Sequence, residues 1–168
     1  MSTEKTRVLF VCLGNICRSP TAHGVFAQLV ESSGLSHRIA VDSCGTADWH
    51  TGKAPDERAV AAAAQRNYDL STLRARQITS EDFNRFDYIL AMDENNLRAL
   101  VELCPADYRG HLSLLLDFSP VTGIREVPDP YYGAADGFAR VLDLIEGAST
   151  GLLRAISSKG RADAHPAQ

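Results

Sequence analysis

Val8-Leu9-Phe10-Val11-Cys12-Leu13-Gly14-Asn15-Ile16-Cys17-Arg18-Ser19-Pro20 decides how the rest of the 168-residue chain is read. Its first four residues are apolar and include two β-branched valines, the pattern of a short strand buried on both faces. Ser19 suits a helix N-cap, and Pro20 suits the first helical position, where its missing N–H leaves nothing unsatisfied. Ala22, Val25, Phe26, Leu29 and Val30 then recur at helical spacing, and Gly34 stands where a helix-ending glycine belongs. The residues between are therefore a loop joining the carboxyl end of a strand to the amino end of a helix.

Such a loop suits anions. The first N–H groups of a helix lack internal partners, and the helix dipole favours negative charge beside them. Gly14 is expected to let the backbone turn sharply with its N–H groups facing inward. The same field stabilises anionic sulfur at Cys12. Arg18 offers a planar fork that can bind two phosphate oxygens at once. The Ser19 hydroxyl can bond the sulfur when it leaves. A thiol beneath the phosphorus and an arginine on its oxygens point to transfer through a cysteinyl phosphate, which needs an acid for the leaving oxygen. Asp129, in Val127-Pro128-Asp129-Pro130-Tyr131-Tyr132, is the candidate, because prolines on both sides stiffen its backbone. Tyr131 and Tyr132 can line a pocket and stack on an aromatic group.

Outward from this loop, strands and helices alternate. Residues 38–43, 87–91 and 112–116 read as further strands. Residues 56–67, 94–103 and 136–156 read as helices, the last weakened locally by Gly147 and Gly151. Alternation predicts an α/β fold: one domain, a four-stranded parallel sheet with helices on both faces, and the anion loop after the first strand. Ligands in such sheets sit at the carboxyl ends of strands near a topological switch point, where Cys12 falls. The domain is expected over residues 1–156, with 157–168 a small, polar, mobile tail.

The formal net charge of −4 argues against non-specific nucleic-acid binding, and a hydrophobic fraction of 45% is ordinary for a soluble domain. Cysteines at 12, 17, 44 and 104 form no C-x-x-C pair, and the five histidines are scattered, so nothing calls for a metal or another cofactor. No run approaches the roughly 20 apolar residues that span a membrane. A reactive thiol without a disulfide framework suits the cytoplasm. The curl of the loop would also bring Cys12 and Cys17 close, and a neighbouring thiol can trap an oxidised nucleophile as a disulfide.

The chain resembles the low-molecular-weight protein tyrosine phosphatases. The resemblance rests on residues 12–20, Val41-Asp42-Ser43-Cys44-Gly45-Thr46, Trp49-His50-Thr51-Gly52-Lys53-Ala54-Pro55 and Ala75-Arg76-Gln77-Ile78. Ala91-Met92-Asp93-Glu94-Asn95-Asn96-Leu97 and Asp129-Pro130-Tyr131 complete it, in family order. It implies hydrolysis of phosphotyrosine, with Cys12 as nucleophile, Arg18 as phosphate and transition-state ligand, and Asp129 as general acid and then base. It also implies that Leu13, Gly14, Asn15, Ile16, Cys17 and Ser19 form the phosphate loop. Ser43 would help shape that loop, and Trp49, Tyr131 and Tyr132 would wall the pocket. The implied substrates are phosphotyrosine-containing proteins, with a cognate tyrosine kinase as a further partner; a monomer is the simplest expectation, and charge and hydropathy call for no nucleic acid or membrane. Many relatives carry a histidine before the Ala-Arg-Gln motif, bonded to the loop asparagine; here the stretch is Ser71-Thr72-Leu73-Arg74.

Two other reactions suit a similar loop. Arginine phosphatases of this kind tend to carry threonine where this chain has Ile16, which favours tyrosine. Arsenate reduction needs further cysteines to relay a disulfide, and only Cys104 lies in the second half of the chain. A module that merely binds oxyanions gains nothing from a carboxylate facing the phosphate, so Asp129 argues against that reading.

Overall fold

The computed structural model describes residues 5–131, 133 and 136–164, with side chains as far as Lys159. Strands β1 (Thr6–Cys12), β2 (Ile39–Gly45), β3 (Tyr88–Ala91) and β4 (His111–Leu114) form one sheet in the order β2-β1-β3-β4. Every pairing is parallel: Val8 lies opposite Val41 and Tyr88, and Leu90 lies opposite Ser113. All carboxyl ends therefore share one edge of the sheet. The chain reverses direction across the sheet at β1, which makes that edge beside Cys12 a crevice.

The helices are α1 (Arg18–Ser32), α2 (Glu57–Ala64), α3 (Asp82–Arg85), α4 (Glu94–Leu103) and α5 (Asp136–Ala164). Val8 and Phe10 of β1 pack with Phe26 of α1 and Leu142 and Ile145 of α5. Leu9 and Val11, pointing the other way, pack with Phe83 of α3 and Leu100 of α4. Burial on both faces is why the first strand is apolar without alternation. Each such side chain contributes about 1.5–3 kcal/mol of burial free energy. A third cluster sets Ala59 and Ala63 of α2 against Cys17, Leu70 and Phe138, so α2 braces the loop from the side. No helix among the described residues is long and apolar enough to cross a membrane.

Several boundaries differ from the sequence reading. Helix α1 starts at Arg18, with Cys17 at the N-cap and no side-chain cap bond. Ser19 lies inside the first turn because its hydroxyl is engaged by the loop. Gly34 does end the helix, at φ +73°, with the Leu35 N–H bonded to Val30 O at 2.9 Å. Helix α4 has the bounds expected, because Asp93 and Asn96 each bond the other's main chain and fix its start. Strand β4 stops at Leu114, and Leu115–Phe118 turn as a 3₁₀ helix. An unbroken apolar run carries no mark of that change. Helix α5 runs on through residues 157–164, beyond the helix end expected at residue 156. Once Ile156 and Leu152 anchor the helix, adding polar turns requires no new nucleus.

Candidate active site

Cys12 ends β1 opposite Gly45, and the chain then leaves the sheet as the loop to α1. Thr46 N–H donates to Cys12 O at 2.9 Å and Ala47 N–H to Leu13 O at 3.0 Å, tying the loop to the segment after β2. The Cys12 side chain receives the Asn15 N–H at 3.3 Å and lies 3.0 Å from Ser19 Oγ. That hydroxyl has a second acceptor, Cys44 O at 3.3 Å, so one proton serves either the sulfur or the sheet.

The sharp turn belongs to Asn15, whose φ is +59°, and not to Gly14 as expected. Asparagine tolerates this left-handed conformation better than most residues because its short amide can bond locally. Here its Nδ2 donates to Ser19 Oγ at 2.8 Å and its Oδ1 accepts the Arg76 N–H at 3.0 Å. A main-chain amide thus holds the asparagine where many relatives use histidine. Gly14 has a different reason to be glycine: a Cβ there would lie 2.9 Å from Cδ2 of His50. Ser43 bonds away from the loop, its Oγ 3.0 Å from Nδ1 of the half-buried His23.

Arg18 is almost wholly buried. Its Nη1 donates to Asp93 Oδ2 at 2.6 Å and to Val127 O at 3.1 Å, while Nη2 lies 3.8 Å from Asp129 Oδ2. Burial opposes its charge, but Cys12, Asp93 and Asp129 outweigh that and raise its pKa above the ordinary guanidinium value. Asp129 is far more open, with 44% of its side chain exposed against 3% for Arg18. Its Oδ1 accepts the Tyr131 N–H at 3.0 Å, and the Val127 N–H bonded to Met92 O at 2.8 Å pins the preceding residues to the end of β3.

Cys12, Arg18, Asp129, Trp49 and Tyr131 converge on one cavity of about 240 Å³. Leu13, Gly14, Ile16 and Cys17 also line it, while Asn15 and Ser19 stand behind it as supports. Tyr132 lies outside the described residues. Trp49 is two-thirds exposed and forms an apolar rim. Across the cavity, the Arg58 guanidinium stacks 5.4 Å from the Tyr131 ring and 5.0 Å from Phe138, and it grips both oxygens of Asp56 at 3.0 and 2.9 Å.

Arg58 was not singled out from the sequence, and His50, Asp93 and Arg76 entered only within the motifs that carry the resemblance, without an assigned role. Asp93 had a usable signal, because it follows a strand predicted to end at the same edge as Cys12. The other three reach the loop only through the fold. Burial, with Asp56 second, pushes Cys17 up to about 12, and burial also raises Cys44 and Cys104.

A family model described as low molecular weight phosphotyrosine protein phosphatase matches residues 7–162. The chain is 45% identical to a low molecular weight protein-tyrosine-phosphatase of Streptomyces coelicolor over 161 residues, covering 93% of this chain and 98% of that one. A protein tyrosine phosphatase structure from Entamoeba histolytica superimposes with a TM-score of 0.89 at 38% identity, over 93% of this chain and 99% of the other. A drosophila arginine phosphatase superimposes with a TM-score of 0.83 at 30% identity, over 89% and 96%. A loop that turns the Asn15 N–H onto a thiol, an arginine lining the same cavity and matches along almost the whole chain agree: this protein belongs to the low molecular weight phosphotyrosine protein phosphatase family.

Proposed function

We propose that this chain hydrolyses phosphotyrosine on proteins through a cysteinyl-phosphate intermediate. The observation that carries the proposal is the convergence of Cys12, Arg18 and Asp129 on one aromatic-walled cavity. Cys12 Sγ attacks the phosphorus as the bond to the tyrosyl oxygen breaks, and Asp129 gives that oxygen its proton. Water then attacks the cysteinyl phosphate, its proton goes to Asp129, and the sulfur leaves as thiolate with the Ser19 hydroxyl beside it. Loop N–H groups and Arg18 stabilise charge on the phosphoryl oxygens in both steps. Leu13, Gly14, Ile16 and Cys17 carry those N–H groups, and Trp49 with Tyr131 forms the wall that receives the aromatic ring. Ser43 supports β2 beneath the loop through His23. The substrates are phosphotyrosine proteins made by a cognate tyrosine kinase, and the enzyme acts as a cytoplasmic monomer.

The depth of the cavity favours tyrosine, since phosphoserine is too short to reach a buried thiol. Ile16 favours tyrosine over phosphoarginine. Arsenate reduction is disfavoured because Cys12, Cys17 and Cys44 are joined in the second half of the chain only by Cys104, which leaves the disulfide relay incomplete. The test is phosphate release from matched phosphotyrosine, phosphoserine and phosphoarginine peptides by the wild type, Cys12→Ser and Asp129→Ala. Turnover of phosphotyrosine alone, abolished in Cys12→Ser and slowed in Asp129→Ala, is the expected result. A preference for phosphoarginine would overturn it.

A further inference from the structure

At the amino ends of β3 and β4, the opposite edge of the sheet from Cys12, a second cavity of about 440 Å³ opens. Its floor is aromatic: Phe83 and Phe86 are buried, and the Tyr108 hydroxyl donates to Phe86 O at 2.8 Å. Its walls carry three cations from three separate segments: Arg85 at the end of α3, Arg109 just before β4, and Lys159 on α5. The lining contains one carboxylate, Asp87, and the fold already uses it, since its Oδ2 accepts the Arg7 N–H at 2.8 Å. None of the three cations forms an ion pair among the described residues. That concentration of positive charge stands out on a chain with a net charge of −4.

The cavity is built on fixed backbone. A Cβ at Gly110 would lie 2.8 Å from Asp87 O and would also run into the Tyr108 hydroxyl, so the two segments meet there without slack. The His111 N–H donates to Asp87 O at 2.8 Å, closing the same seam. The His111 ring sits at the rim, packed 5.4 Å from both Tyr88 and Phe118, with Nε2 bonded to Ser113 Oγ at 2.8 Å. Burial lowers its pKa; Asp117 pulls against that, and Lys159 adds to it. The lysine's field therefore reaches the ring.

We propose that this cavity is a second anion site, which takes a phosphate-bearing ligand of at least two negative charges. Three like charges around one hollow repel one another unless a counterion lies between them. Two guanidinium forks and an ammonium match the several oxygens of a phosphate group better than the two of a lone carboxylate. The site stands apart from Cys12 and does not depend on the chemistry proposed there. The same phosphate chemistry has two sources, a free polyphosphate or a phosphorylated side chain of a protein segment.

The experiment is an amide and imidazole NMR titration of the full chain with inorganic pyrophosphate, and separately with an acidic phosphoserine peptide. Sodium chloride at matched ionic strength is the control, and Gly14 and Asn15 report the Cys12 loop in the same spectra. We expect saturable shifts at Gly110 and His111 and an upward move of the His111 titration. In R85Q/R109Q/K159Q, affinity at this cavity should fall more than tenfold, with loop shifts and phosphotyrosine turnover unchanged. Binding of pyrophosphate alone identifies a free polyphosphate as the ligand; binding of both probes identifies a phosphorylated protein segment. Shifts confined to Gly14 and Asn15, shifts reproduced by sodium chloride, or equal affinity in the triple variant would overturn the proposal.

Discussion

The main-chain N–H of Arg76 donates to Oδ1 of Asn15 at 3.0 Å, and this bond holds the left-handed residue of the phosphate loop. Asn15→Ala removes it, removes the bond to Ser19, and places a Cβ-bearing residue without a local partner at φ +59°. The strain alone costs about 1–2 kcal/mol. We expect kcat for phosphotyrosine to fall by about 10–100-fold, since each 1.36 kcal/mol is a factor of ten. Asn15→Gly keeps the backbone free to adopt the turn and should recover part of that loss. Equal losses in the two variants would show that the hydrogen bonds, and not the backbone conformation, set the rate.

Arg76 is itself anchored. Its guanidinium bonds Asp82 at 3.1 and 3.0 Å and Asp42 at 3.1 Å, and Asp82 is almost fully buried. Asp82 also accepts the Thr79 N–H at 2.8 Å. Asp82→Ala should lower unfolding free energy by about 2–3 kcal/mol, the worth of hydrogen bonds to a charged group. Asp42→Ala should cost less, because its side chain is 44% exposed and solvent screens the pair. Denaturant unfolding of both variants checks the order.

The Cys17 thiol, pushed up to about 12 by burial and then by Asp56, gives a dependence on alkaline pH. The unfolded chain releases this proton near 9.0, the ordinary thiol value, while the folded chain keeps it. Folded protein then binds more protons than unfolded, so stability falls as pH rises. The contribution is complete below 9.0 and is lost progressively between 9.0 and about 12. Thermal midpoints of the wild type should drop through that window, and those of Cys17→Ala should drop less steeply. Parallel curves for the two proteins would contradict the assignment.

Arg58 is exposed, yet it lies over two rings and closes on Asp56. Arg58→Met keeps the length of the side chain and removes both the cation–π contacts and the ion pair. Loss of this ring positioning predicts a KM about two- to fivefold higher, with kcat little changed. A fall in kcat at constant KM would instead place Arg58 on the path of the proton.

Much of this site was legible because its chemistry is contiguous. Cys12 and Arg18 share one loop, and Asp129 is marked by its flanking prolines. The start of α4 was legible for the same reason, since Asp93 and Asn96 carry the whole capping device within four residues. What stayed hidden involves partners far apart in the chain. Arg76 reaches Asn15 through a bridge between Gly45 and Gln77 that no local pattern announces. The choice of Asn15 over Gly14 as the turning residue follows from that distant bond, so glycine's permissiveness alone pointed to the wrong position. Helix α3 and the 3₁₀ turn at Leu115–Phe118 are single turns, too short to show a period.

Both bonds made by Nη1 of Arg18 are to protein, Asp93 on one side and the Val127 carbonyl on the other. A free arginine side chain carries about 2 kcal/mol of rotamer entropy. Here most of that freedom is surrendered once, when the chain folds, and not again each time a phosphate arrives. The carbonyl that helps to restrain the arginine lies two residues before Asp129, so the same event also orients the segment bearing the acid. The enzyme thus meets its substrate with the entropy of alignment already spent, and the energy of binding is left free for the difference between ground state and transition state.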